Sequence, residues 1–167
     1  MTAIQEYYER LDARWRRIFE APPVRHGRTS SQWPAASISR LHESEFWVLD
    51  EFPEQRIGVL RRTPLPAASL AALASDNDAL LAKLRSDHQS FGLVVDMREA
   101  PLRNDTAFEQ TMAKMRIELT TRFQRCAVLL ESQLGELQVN RLERDEGRNT
   151  FITRSVSAAF RFAAGGR

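Results

Sequence analysis

Between Asp96 and Thr106 the chain reads Asp-Met-Arg-Glu-Ala-Pro-Leu-Arg-Asn-Asp-Thr, its densest run of groups able to do chemistry: Asp96, Arg98, Glu99, Arg103, Asn104, Asp105 and Thr106. Paired carboxylates share acid–base work when their surroundings push their pKa values apart, and guanidiniums clamp anions or a partner's carboxylates. Neither Asp96 nor Glu99 has an identifiable second group of opposed pKa, so an enzyme built on them ranks behind a binding surface. Internal Asp–Arg and Glu–Arg pairing that fixes the loop accounts for the same residues.

Elsewhere the chemistry thins out. His26, His42 and His88 lack the spacing that would converge them on a metal and read as surface histidines. His42-Glu43-Ser44-Glu45 carries liganding atoms, but no second cluster completes a site. The single cysteine, Cys126, excludes an internal disulfide and any site of several thiolates, and within Arg125-Cys126-Ala127-Val128-Leu129-Leu130 it reads as a buried, inert thiol. The scattered glycines form no phosphate loop, and no Gly-x-Ser-x-Gly turn is present. Catalytic residues, metal and cofactor are therefore all expected to be absent.

The elements that must position the Asp96–Thr106 run are legible on both sides of it. Phe91-Gly92-Leu93-Val94-Val95-Asp96 is a short apolar strand suited to burial on both faces of a parallel sheet. Asn104 or Asp105 can cap a long helix offering Phe108, Met112, Met115, Ile117, Leu119 and Phe123 for burial, and residues 124–130 return as a strand. Upstream, Phe46 to Phe52 and Arg56 to Arg62 flank Pro53-Glu54-Gln55 as a hairpin. A helix follows over about 67–86, with Ser75-Asp76-Asn77-Asp78 as a candidate break. Downstream, residues 133–144 read as a helix carrying Leu134, Leu137, Val139 and Leu142. Residues 149–153 read as a strand, 155–162 as a helix, and Gly165-Gly166 as a fraying tail over 164–167.

Ile4, Tyr8, Leu11, Trp15 and Ile18 make one apolar stripe on an N-terminal helix over residues 1–21. The stripe can dock within its own chain, on another copy or on a different protein. Pro22-Pro23 ends that helix, and residues 22–45 lack periodicity and read as a linker. The fold class expected is α/β, a small mixed, mainly parallel sheet of about five strands with helices packed on it, plus the helical extension.

This order and strand texture resembles the STAS family, named for sulfate transporters and anti-sigma-factor antagonists, and its lipid-binding-like relatives, over residues 46–163. The resemblance is carried by Leu93-Val94-Val95-Asp96-Met97-Arg98, by Phe123-Gln124-Arg125-Cys126-Ala127-Val128-Leu129-Leu130, and by Asn149-Thr150-Phe151-Ile152-Thr153 with the small-residue helix after it. In the antagonists, an Asp-Ser pair at a helix start carries a serine that a partner kinase phosphorylates. The resemblance places Asp105-Thr106 there, with Thr in place of Ser and a basic, slightly longer loop before it. Capping by Asn104 or Asp105 explains the same residues.

A net charge of +2 without a concentrated basic face gives no reason to expect a nucleic-acid partner. No apolar stretch approaches the ~20 residues that span a bilayer, and the polar N-terminus is unlike a secretory leader, so a cytoplasmic protein is expected. The leading functional expectation is a non-enzymatic bacterial signalling or scaffolding module. It would bind a protein, a kinase or anti-sigma-type regulator, through the segment from Arg98 to Phe123, with regulation at Thr106 and self-association through the N-terminal stripe. The alternative is a domain that holds a small-molecule or lipid-like ligand between the sheet and its helices.

Overall fold

The computed structural model describes residues 38–101, 103, 105–131 and 150–166. The chain divides into two units at Ala36/Ser37. The first, with the helix expected over 1–21 and its stripe of Ile4, Tyr8, Leu11, Trp15 and Ile18, lies outside the described residues, as do Asn104 and the helix expected over 133–144.

In chain order the elements are β1 (Ser39–Glu43), β2 (Trp47–Phe52), β3 (Ile57–Arg62), α1 (Leu70–Leu81), a 3-10 turn (Ser86–Ser90), β4 (Gly92–Asp96), α2 (Thr106–Arg122), β5 (Arg125–Leu129), β6 (Thr150–Thr153) and α3 (Val156–Ala163). The strands form one sheet in the order β1-β2-β3-β4-β5-β6. The pairs β1/β2 and β2/β3 are antiparallel, and β3/β4, β4/β5 and β5/β6 are parallel. The α/β class and the mixed, mainly parallel sheet are as the sequence implies. Among the described residues the strands number six, because β1 lies inside the stretch read as a linker. Its sequence, Ser-Arg-Leu-His-Glu, is half exposed and carries a register shift between Arg40 and His42, so it has no alternation of its own.

Alternation sorts the sheet's side chains. Leu49, Leu60, Leu93, Val95 and Cys126 join one core with Leu73, Leu80, Met115, Leu119 and Phe123 from the helical side. Val94, Ala127 and Leu129 point the other way and are also buried, where Ala159, Phe160 and Ala163 of α3 lie. β4 is thus interior in both senses, between β3 and β5 and sealed on each face, as its unbroken apolar run requires. Gly92 opens it because α3 passes close by: a Cβ there would lie 2.1 Å from the Ala163 carbonyl oxygen. Gly165, at φ +87°, donates to Phe162 O and Gly166 donates to Arg161 O, which closes the helix with a left-handed glycine turn.

The polar run in α1 does not break the helix. Asp76 accepts from Ser44 Oγ and from His42 Nε2 (3.0 Å), Asn77 Oδ1 accepts from the Trp47 indole (2.8 Å), and Asp78 meets Lys114 of α2. These side chains fasten α1 to the β1–β2 turn and to α2, which offsets the helix propensity they lack. The helix is shorter than expected, ending at Leu81 before the 3-10 turn.

His42 and His88 are not surface histidines. His88 is 1% exposed, stacked against Phe123 and edge-on to Phe91. Its Nδ1 accepts from the Arg85 backbone N–H (2.8 Å), so in the neutral ring the proton sits on Nε2 and is donated to Glu51 (2.9 Å). On the opposite face, Asp50 joins Arg40 from β1 and Arg61 from β3, three charges that satisfy one another across neighbouring strands.

Replacing Asp76 by Ala leaves the Ser44 hydroxyl and His42 ring without their shared acceptor, at a cost of roughly 1–3 kcal/mol. Ser75→Ala, at the exposed neighbour, stays within about 0.5 kcal/mol of the parent. Urea-denaturation midpoints of the two variants measure the contrast, and equal midpoints would refute the anchoring role.

Candidate functional site

The sequence-selected rim begins where β4 ends. Asp96 is buried, and Arg98 closes on it with two bonds, Nε to Oδ1 at 2.9 Å and Nη2 to Oδ2 at 2.7 Å, while the Arg98 backbone N–H donates to Oδ1. The bond to Asp96 outweighs desolvation and holds Arg98 above the ordinary arginine range. Ala100 N–H donates to Met97 O and tightens the loop that follows. Arg103 and Asp105 form a second ion pair, at the surface, and Glu99 is exposed.

Asp105 caps α2. Its backbone is extended, and its Oδ1 accepts from the Phe108 N–H at 3.0 Å. Thr106, the first helical residue, is exposed. Of the residues selected from sequence, Asp96 with Arg98 and Arg103 with Asp105 are brought together as pairs, so the bland expectation of internal pairing holds for both. Among the described residues, no group of three or more His, Cys, Asp or Glu side chains is placed to hold a metal ion.

Beside this rim lies a hollow of about 560 Å³ between α2 and the sheet, within the range of small-molecule sites. Its apolar wall comes from Trp47 of β2, Val95 of β4, Cys126 and Val128 of β5, and Phe108, Met112, Met115 and Leu119 of α2, with Met97, Ala100 and Pro101 from the loop. α2 is seated more deeply towards its C-terminal end: Met115 and Leu119 are buried in the core, whereas Met112 and Phe108, one and two turns nearer the N-terminus, pack against it only partly buried. The lining also carries charge, with Arg62, Arg98, Arg103 and Arg116 set against Glu109 and Glu131.

Arg98 and Arg103 therefore serve the site as wall residues. Asp96 acts through Arg98, and Asp105 through Arg103 and the helix cap. Arg62, Trp47, Met97 and Cys126 were not singled out as site residues from sequence. The one signal that could have found them is the coincidence of three methionines, Met97, Met112 and Met115, around one strand–loop–helix unit.

Asp105 tests the pairing at this rim. The Arg103 guanidinium and then the Phe108 N–H hold its carboxyl below the ordinary aspartate range. A depressed carboxyl contributes stability above its unfolded pKa of about 4, and that contribution disappears as pH falls through the folded value. The melting temperature of Asp105→Ala should fall below that of the parent at pH 7, and the gap should narrow as the pH is lowered towards 3. A gap that is constant with pH would exclude an ionised cap.

Comparison of the chain with protein-family models, curated proteins and solved structures returns no significant match.

Proposed function

We propose that the domain binds an apolar or amphipathic small molecule in the hollow between α2 and the sheet. The observation that carries this reading is the hollow itself, about 560 Å³ bounded mainly by methionine, aromatic and aliphatic side chains. Phe108, Met97 and Met112 pack against the core yet remain partly exposed, although each is large and apolar. Apolar surface kept from its neighbours forfeits contacts that an occupant supplies, which is the driving force for binding. Methionine, unbranched and polarisable, lets one wall accept occupants of differing shape.

One reporter is built in. Cys126, the chain's single cysteine, lies in the wall, so thiol labelling reads occupancy at one site. An uncharged fluorescent dye such as Nile red should bind at about one per chain and slow labelling of Cys126. At a hundredfold excess over its Kd it should stabilise the fold by about 2.7 kcal/mol. Met112→Trp, from the partly buried side of α2, should fill the hollow and abolish dye binding while circular dichroism stays unchanged. Failure of the wild-type protein to bind the dye would defeat the reading.

A second reading, phospho-regulated docking of a protein partner as in the anti-sigma-factor antagonists that the chain resembles, rests on one observation. Thr106 is exposed at the start of a 17-residue helix, where a dianion gains from the free amides and the helix dipole. A kinase or anti-sigma-type regulator would be the partner. Thr106→Glu should then change which proteins the domain captures, compared with wild type, and an unchanged set counts against it.

A further inference from the structure

We infer that the occupant is an uncharged, elongated molecule, a single alkyl chain ending in a neutral polar group such as a hydroxyl, laid along α2 from Phe108 to Leu119. This rests on the ligand-binding reading above and adds the ligand's charge and shape to it.

The charges of the lining are the first argument, because they are matched within the protein. Against Arg62, Arg98, Arg103 and Arg116 stand Glu109 and Glu131 of the same lining, with Asp96 and Asp105 bound to Arg98 and Arg103, so four positive groups meet four negative ones. Glu131 adds its attraction to that of Asp96 on Arg98. Arg62 is 4% exposed, and its guanidinium is occupied by backbone: Nη1 donates to Thr63 O (2.8 Å) and Phe46 O (3.2 Å), and Nη2 to Leu65 O (2.8 Å). It also lies over the rings of Phe46 and Trp47, at 5.3 and 5.5 Å. Arg116 and Glu109 have partners of their own.

An ionic head of either sign therefore meets no counter-charge that is not already engaged. It must break one of these pairings, or keep to open water and draw part of its chain out of the hollow. Taking an ion out of water without a partner is costly, whereas an un-ionised hydroxyl costs far less.

The second argument is length. Phe108, Met112, Met115 and Leu119 line the hollow at spacings of four, three and four, so they form one stripe of α2. At a rise of about 1.5 Å per residue that stripe is about 16 Å long. A linear chain can touch all of it, whereas a compact molecule of the same composition covers only a part and forfeits the remaining apolar burial.

The test uses full-length protein stripped of bound lipid, with Nile red displaced by four ten-carbon probes below their micelle concentrations at pH 8, where the carboxylate probe is ionised. These are decanol, cyclodecanol, decanoate and decyltrimethylammonium. Dividing each affinity by the probe's partition coefficient into uncharged detergent micelles removes differences in solubility. On that scale decanol should bind about tenfold more tightly than either ion, equivalent to about 1.4 kcal/mol, and more tightly than cyclodecanol. Asp105→Asn keeps a capping side chain but removes the charge that holds Arg103, so it should narrow the gap between decanoate and decanol without narrowing that of the ammonium probe. The inference is overturned, and the ligand-binding reading left intact, by any of four results with a dye that binds: decanol fails to displace it, either ion matches decanol, cyclodecanol binds more tightly than decanol, or Asp105→Asn leaves the decanoate gap unchanged. If the dye does not bind and no probe protects Cys126, both fall.

Discussion

The buried ion pair between Asp96 and Arg98 sets the geometry on which the site depends. A carboxylate at the end of a strand sealed on both faces has no water to solvate it, and an uncompensated charge there is costly. Arg98 answers with a two-pronged bond from only two residues away, a spacing that an extended chain brings to one face. The Met97–Ala100 turn follows, and the helix starts only where Asp105 caps it. The hollow lies between this turn and the point, a few turns along α2, where Met115 and Leu119 reach the core.

Much of this architecture could be read from local signals. The β2–β3 hairpin, the apolar run of β4, the capped start of α2 and the small-residue helix after β6 each declare themselves within about ten residues, because strand texture and helix caps are local physics. β1 escaped because its stability comes from its partner strand. Arg40 pairs with Asp50 in register and by its side chain, and nothing within Ser39–Glu43 records that. His88 escaped for the same reason, since Ser-Asp-His-Gln-Ser reads as exposed until Glu51, 37 residues earlier, is found beneath it. Polar residues that look like breaks or surface in one dimension are fasteners in three, as Asp76 and Asn77 also demonstrate.

For the site, sequence singled out the segment from Asp96 to Thr106, and the structure pairs part of its charge within the segment. Asp96, Arg98, Arg103 and Asp105 were grouped as a rim presented to a partner, and two pairings consume much of that charge internally. A hollow has no sequence signature, because its volume is the difference between where a helix lies and where its side chains would lie if packed. Phe108 and Met112 carry the spacing of core residues and would be assigned to the core from spacing alone. Only their partial exposure distinguishes a filled interior from a site.

Why the hollow stays open follows from what flanks it. Collapse would require the N-terminal half of α2 to tilt onto β4 and β5, carrying with it the Asp105 cap and its Arg103 pair, and moving against Pro101 and the fixed Arg62. Those contacts would have to be broken or rearranged before Phe108 and Met112 could reach the sheet, so the capped end of α2 keeps its apolar side chains only partly covered.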